Sequence, residues 1–566
     1  MAQDFDVCVI GSGAGGGPVA WALSQAGYSV LVLEKGPWFR EADFAKDELA
    51  CCRRSHYTPN LRDEQHVLED ADGQGGWDAV PTGESGRDFW NGSLVGGSSN
   101  LMSGFFHRMK PKDFRLLSEY GPIAGANLAD WPIDYADLEP YFTRVESLVG
   151  VSGQARPHSQ LEPRSTPDFP LPPTAEHPVA SWIDQTCERL GLTPVRVARA
   201  ILPQPYQGRD VCSYSGYCGS YGCNTAAKGS ARVAFIEPAL ASGRCQLRPN
   251  SPVRRLISDA KGRVREAEYL DAQGQPQRVR AQVFVVACQA IESVRLLLAS
   301  PGPAHDQGLG NNKGQLGRNL VFSAGGAGGG YFTYAKLDPV RQAQLRLLGP
   351  FVNRALQHWY EIDDPAFAPG PAKGGTIEFL MAHPNAIPLA RSAASADGKP
   401  LWGLPLKRKL ERWFSEDRKL SFEVFNDWLP NDDCFVRLDP ALKDRWGMPV
   451  ARVRLGAHPH DLRVGRYLAE QGERVLREMG ADWVSSSVSA APPPNLVAGG
   501  CRFGTDPAHS VLDPDCRVWG AENLFVSDAS FMPTGGSVPY TWTIYANALR
   551  VAERIADQLV VPNFRT

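Results

Sequence analysis

Two rhythms of apolar residues run along this chain. The run DVCVI (6–10) is short and unbroken, as a strand buried on both faces would be. PVAWALSQAG (18–27) spaces its apolar residues for a helix, and Gly27 closes it. SVLVLEKG (29–36) is a second buried strand that ends in an acid, and QVFVVACQAIESVRLLLAS (282–300) reads as strand, turn and helix. GTIEFLMAH (375–383) and KLSFEVFNDWL (419–429) are strand candidates in a β-rich part over 325–480. DYADLEPYFTRVESLVG (134–150) starts a helix, ENLFVSDASFMPTGG (522–536) holds a last buried strand, and YTWTIYANALRVAERIADQLV (540–560) is a closing helix. Residues 37–90 read as irregular, with a Gly/Asp-rich patch near 69–87, and 157–174 is a proline-rich connector.

The 566 residues suffice for two or three domains' worth of core. A charged fraction of 21% and a net charge of -3 carry no basic footprint, so nucleic acid is not an expected partner. No apolar run reaches the length of a membrane span. The N-terminus enters a strand pattern at once, so no signal peptide of its own is expected. That points to the cytoplasm, or to the periplasm if an exported partner carries the chain. Most of the twelve cysteines stand singly in apolar runs and imply no disulfide framework.

Gly11, Gly13 and Gly16 form G-x-G-x-x-G between a strand and a helix. The first allows a tight turn, the second a close approach to a pyrophosphate, the third the packing of helix on strand. The helix N-terminus adds N–H groups and a positive dipole. Glu34, at the end of the next strand, is placed for ribose hydroxyls. A dinucleotide site is the expectation.

Three further stretches carry a resemblance: WNGSLVGGSSNLMSGFFHRMKPKDF (90–114), VVACQAIESVRLLLAS (285–300) and CRFGTDPAHSVLDPDCRVWGAENLFVSDASFMPTGG (501–536), with DWPIDYADLEPYF (130–142) fitting too. In that order they resemble the glucose–methanol–choline (GMC) flavoprotein oxidoreductases, closest to the iron–sulfur-bearing sugar, glycoside and gluconate dehydrogenases. The resemblance implies an α/β fold, with a doubly wound, Rossmann-like FAD-binding domain and an α+β substrate domain built on an antiparallel sheet. The FAD domain would comprise 1–150, 205–325 and 496–566, with a cysteine loop at 210–231; 151–204 would connect, and 326–495 would form the substrate domain. It implies that Gly11, Ser12, Gly13, Gly16, Glu34 and Lys35 hold the dinucleotide. Gly96, Gly97 and Ser98 would run past the pyrophosphate, and Asn100, Leu101 and Met102 would lie near the isoalloxazine. Val253 would meet the adenine, and Asp528 and Ala529 the ribityl–phosphate end, with Ala287 and Thr541 completing the set. Leu101 stands where some relatives link FAD through a histidine, which implies non-covalent FAD.

Cys212, Cys218 and Cys223 lie in DVCSYSGYCGSYGCNTAAKGSA (210–231). Three thiols in a Gly/Ser/Tyr loop suggest a metal or cluster. Zinc would want a fourth ligand, and no histidine adjoins. Three thiolates suit a [3Fe-4S] cluster. The loop resembles that of the cluster-bearing relatives, although Ser215 stands where some carry another cysteine. Free or bridged thiols remain the alternative, and Cys51–Cys52 is a remote source of a further ligand. A cluster implies a dehydrogenase that passes electrons outward, with a small subunit and a cytochrome or quinone as partners.

Alcohol oxidation needs a base for the hydroxyl proton. The family's histidine position falls on Leu496, and its second His/Asn position on Val538 or Pro539; none accepts a proton. Substitutes are Tyr540, His107, Glu378 and Glu423. His458 and His460 read as a helix cap, and His509 as part of a turn. Three functions stay open: a dehydrogenase for a sugar, glycoside or polyol hydroxyl; a flavoenzyme of elimination, isomerisation or decarboxylation; and a subunit without substrate chemistry, its pocket filled by Leu496, Val538 and Trp542.

Overall fold

The structure, a computed structural model, describes residues 4–49, 56–87, 89, 91–158, 160–323, 325–396, 399–491 and 496–559. Cys51 and Cys52 lie outside the described residues.

Five parallel strands make the first layer, in the order Leu524–Val526, Ala281–Val286, Phe5–Ile10, Val30–Leu33, Cys245–Arg248. The central strands are covered on both faces, so Val7, Cys8, Val9 and Val283 to Val286 are all buried. This is why they read as unbroken apolar runs. Helix Gly16–Gln25 packs against the closing helix Thr541–Gln558, which packs in turn on Tyr135–Val149. The two ends of the chain are tied there: the Tyr28 hydroxyl donates to the Leu559 carbonyl at 2.9 Å.

An antiparallel sheet makes the second layer. Its main path is Trp483–Ser487, Gly326–Thr333, Asp417–Trp428, Gly375–Met381, Arg354–Leu356, Val195–Arg196. Side chains alternate between its faces. Ile377, Phe379, Leu420, Phe422 and Val424 fill a core that also holds Val464 and Leu468 of helix Pro459–Glu478. The intervening positions Thr376, Glu378, Ser421 and Glu423 therefore point to the opposite face. Strand Leu320–Ser323 joins the layers, pairing with Asp417–Trp428 on one side and Val497–Gly499 on the other.

Two stretches depart from the expected picture. The patch near 69–87, read as irregular, is a hairpin of Val67–Ala71 and Trp77–Pro81, turned through Gly73 and Gly75 at φ +76° and +89°. It pairs in parallel with Pro449–Leu455, which hairpins with Cys434–Lys443. Val436, Ala451 and Val453 of that second hairpin enter the core of the first layer. The segment 151–204 contributes helix Val179–Leu190, whose Trp182 and Ile183 belong to the second core, and an end strand of the antiparallel sheet.

The first turn tolerates no side chain at Gly16, because a Cβ there would lie 2.0 Å from the Gly11 carbonyl oxygen. Gly16→Ala is expected to cost about 1–3 kcal/mol of stability, read as a lowered thermal midpoint. An unchanged midpoint would show that the turn can yield.

Candidate active site

A cavity of about 320 Å³ opens at the carboxyl ends of the parallel strands and reaches the inward face of the antiparallel sheet. Open α/β sheets place ligands at this edge. Gly11 turns the chain at φ +97°, where a Cβ would strike the Ala287 carbonyl oxygen at 2.3 Å. Gly13 is different: a Cβ there would meet only Gly97 Cα, at 3.8 Å, so its backbone faces the opening. Gly97 and Ser98 line the same wall.

Ser12, Gly16, Gly96 and Asn100 stand behind the lining and hold it. The Ser12 hydroxyl accepts from Gly96 N at 2.9 Å and donates to Glu34 Oε2 at 2.6 Å. Asn100 Nδ2 donates to the Val95 and Gly97 carbonyls at 3.0 and 2.9 Å. Glu34 also accepts from Ser12 N and Gly36 N at 3.0 and 2.8 Å. Burial pushes its carboxyl up, against these bonds. Lys35 lines the cavity, but its ammonium is 3.1 Å from Glu64. Burial pulls its pKa down, and Glu292 and Glu64 outweigh that, so it stays charged.

Val253, Ala287, Asp528, Ala529, Leu101, Met102 and Thr541 all line the cavity. Asp528 is fastened by Gln289 N at 3.1 Å, by Ser530 N at 2.9 Å and by the Ser293 hydroxyl. Burial raises its pKa.

Glu423, Phe425, Leu496, Pro539 and Tyr540 also line this cavity, and among the described residues no histidine does. Leu496 sits at φ +55°, and its carbonyl accepts the Tyr540 hydroxyl hydrogen. That commits the phenol. Val538 is fully buried outside the lining, and Trp542 stacks on Phe106 at 5.3 Å. The cavity is therefore open, not plugged by these side chains. Burial, then the charge of Glu378, pushes the Glu423 carboxyl up to about 7. Glu378 and His107 do not line the cavity; they stand behind Glu423, with Glu378 Oε1 2.6 Å from His107 Nε2. His458 caps a helix, its side chain accepting from His460 N, and His509 is exposed beside Asp506.

Cys212, Cys218 and Cys223 line a neighbouring cavity of about 150 Å³. They are free thiols. Lys46, Arg199, Lys228 and Arg418 line it too, and among the described residues no carboxylate does. Lys228 Nζ donates to the Asn100 and Cys218 carbonyls at 3.0 and 2.8 Å. Burial pulls Arg199 down to about 10, with Cys218 and Glu378 countering. Burial pushes Cys212 up to about 11. For Cys223 burial acts upward as well, but Lys228 and backbone N–H groups bring the net shift down. A pocket rich in cations and thiols suits an anionic group bound through sulfur. No three His, Cys, Asp or Glu side chains among the described residues converge to hold a single metal ion. Ser103, Phe105 and Gly219 line both cavities, so one thin wall separates them.

Sequence reasoning missed Trp446 and Met448, which line the main cavity from the turn of the Cys434–Leu455 hairpin. Arg295 anchors that turn through Asp444. The strand–turn–strand pattern around DRWG was there to be read, but not where it docks.

The GMC oxidoreductase family matches residues 170–323 and 430–548. The 6'''-hydroxyparomomycin C oxidase of Streptomyces lividus is 33% identical over 98% of this chain and 92% of its own length. The paromamine 6'-oxidase of Streptomyces fradiae is 32% identical over the same shares. The crystal structure of pyridoxine 4-oxidase from Mesorbium loti superposes with a TM-score of 0.60, at 19% identity, covering 98% of this chain and all of that one. With its glycine turn, two-layer architecture and cavity between the layers, this chain belongs to the GMC oxidoreductase family and is an FAD-dependent oxidoreductase.

Proposed function

We propose that the chain is a dehydrogenase for a hydroxyl of a sugar, glycoside or polyol, with Glu423 as its base. One observation carries this: a carboxyl that titrates near neutrality lines the same cavity as the glycine turn. It supplies the proton acceptor that Leu496 and Val538 lack. The names of the two Streptomyces relatives, oxidases of paromamine and of 6'''-hydroxyparomomycin C, agree with a sugar-like substrate. With the cavity open and a base at hand, no observation favours the elimination, isomerisation or decarboxylation reading, or a subunit without chemistry.

Backbone at Gly11, Gly13 and Gly97 would hold the FAD pyrophosphate, Glu34 the ribose, Val253 the adenine, and Leu101, Met102 and Thr541 the ring. FAD held there would supply the hydride acceptor for the carbinol carbon. Glu423, as carboxylate, takes the hydroxyl proton. Phe425, Leu496 and Pro539 give the wall around it an apolar surface. Tyr540, its hydrogen committed to Leu496, shapes the pocket and does not act as a base.

Cys212, Cys218 and Cys223 would hold a [3Fe-4S] cluster, which supplies single-electron steps toward an outside acceptor. The cation-lined cavity beside the flavin site supports this. The acceptor would be a cytochrome or quinone, reached with a small subunit. No helix among the described residues is long and apolar enough to cross a membrane. The chain would work in the cytoplasm, or in the periplasm if an exported subunit carries it.

Anaerobic mixing with sugars, glycosides, polyols and paromamine should bleach the oxidised flavin with one class. No bleaching by any, with dithionite reduction intact, would sink the reading. Glu423→Gln should slow bleaching by about 10²–10⁴-fold. The wild-type rate should fall about tenfold per pH unit below about 7, as the base is protonated.

Glu423 also links pH to stability. Its folded pKa of about 7 lies above the ordinary 4.5. The folded state holds this proton more tightly, so the contribution is present below 4.5 and is lost as pH rises to about 7. Melting curves of Glu423→Gln should therefore gain on wild type across that window. A constant difference would show that the carboxyl titrates normally.

Iron and sulfide analysis of protein purified without air should return about three irons per chain. Cys218→Ser should lose them, and with them electron transfer to an outside acceptor. Iron-free wild type with full acceptor activity would remove the cluster.

A further inference from the structure

In the reading above, Glu423 gains a proton at every turnover and has to lose it again. Phe425, Leu496 and Pro539, which line the cavity with it, offer no acceptor, and the carboxylates that share the lining are already engaged: Glu34 by Ser12 and Gly36, Glu292 by His66 and Arg295, Asp444 by Arg295, Asp528 by Ser293 and Gln289. The antiparallel sheet behind it offers one. Glu378 is the direct cross-strand partner of Glu423. Facing residues of an antiparallel pair have Cβ atoms about 4.5–5.5 Å apart on one face of the sheet. Glu378 is 0% exposed. Its Oε1 is bonded to His107 Nε2 at 2.6 Å, while its Oε2 is buried without a partner. A buried carboxyl oxygen left bare is costly. The carboxyl across the strand pair is a group that can bring a hydrogen to it.

His107 lies at the edge of a second cavity, of about 410 Å³. This cavity shares no lining residue with the first. Exposed Arg156 and Pro157 border it, so it opens to solvent. Glu423 is thus joined, through two buried side chains, to a second cavity that opens on another face of the protein.

We propose that Glu378 and His107 form a proton exit from Glu423 to this second cavity. The proposal rests on Glu423 being the base. The substrate O–H bond breaks and its proton goes to Glu423, while the C–H bond breaks and its hydrogen leaves with the electron pair as hydride, for which a bound flavin would be the acceptor. The Glu423 proton passes to Glu378 Oε2, Oε1 delivers one to His107 Nε2, and His107 sheds one to water. Glu423 is left as carboxylate and one proton has reached solvent. Glu378 and His107 act through Glu423, so they are positioning residues.

Charged groups flank this path on both sides. On the His107 side lie Arg108, held by Glu139 and Glu146, and Lys110, held by Glu162 at 2.6 Å. His158, another lining residue, is pushed down to about 4 by burial, then by Lys110, with Glu162 opposing and His107 adding a little. Arg354, paired with Glu176 and Asp184, lines the cavity further out with Glu188. Near Glu378, Arg199 is bonded to Asn353 and the Ser103 carbonyl between the rings of Phe105 and Phe351.

The test uses the FAD-loaded enzyme, the compound that bleaches it in the panel above as probe, and a pH-indicator dye. In wild type, proton release should keep step with bleaching. In His107→Ala and Glu378→Gln it should lag by about tenfold or more. Imidazole should abolish the lag in His107→Ala, whose vacated space adjoins the second cavity, and not in Glu378→Gln. A second readout needs no turnover: infrared titration of the Glu423 carboxyl should move to lower pH in Glu378→Gln, because a neighbouring charge is gone. His107→Gln replaces His107→Ala if the latter fails to fold by thermal melting. Release in step with bleaching in the folded variants, or an unmoved Glu423 titration, overturns the exit path. Normal bleaching by Glu423→Gln would instead overturn the base itself, which separates the two failures.

Discussion

Three backbone segments from distant parts of the chain have to meet with no side chain between them. Gly11 lies against the Ala287 carbonyl, Gly15 against Asp528 Cα, and Gly13 against Gly97. A Cβ on Gly15 would come within 2.7 Å of Asp528 Cα. Because these contacts are backbone to backbone, neither partner can move aside as a flexible side chain would. They bring the ends of three parallel strands, the first helix N-terminus and the Gly96–Gly97 turn into one wall. The cavity, and every residue that lines it, depends on that junction.

The roof of the cavity follows a different rule. Alternation along Gly375–Met381 and Asp417–Trp428 sends Phe379 and Phe422 into one core and Glu378 and Glu423 the other way. Two carboxyls thereby stand side by side across the strand pair, and burial, then the charge of Glu378, raises the Glu423 carboxyl. The cysteine cavity adds the complementary charge: Arg199 and Lys228 stand beside three thiols, with no carboxylate among the described residues of the lining. Acid chemistry and thiol chemistry are separated by the shared wall at Ser103, Phe105 and Gly219.

Local signals were the readable ones. The glycine turn, the buried strands around Val7 and Val285 and the closing helix each carry their pattern within a dozen residues, and they fold as that pattern says. Glu34 and Asp528 could be placed because they follow strands of that sheet. The hairpin of Val67–Ala71 and Trp77–Pro81 was hidden by its Gly/Asp composition, and its partner strand lies almost 400 residues away. Tyr540 stood beside the lost histidine position in sequence, but its hydroxyl turned out to be spent on Leu496.

By itself, the sequence determined the buried strands of the first layer, the dinucleotide turn and the absence of a histidine at Leu496, because these are matters of residue type and short-range period; the antiparallel second layer was implied by the family resemblance. Only the tertiary structure decided which substitute faces the cavity. Tyr540, His107, Glu378 and Glu423 are alike as titratable groups in a list. Strand register put Glu423 in the cavity lining, left Glu378 and His107 behind it, and buried all three deeply enough for their protons to matter. Register and burial arise from contacts between strands far apart in the chain, and no local pattern encodes them.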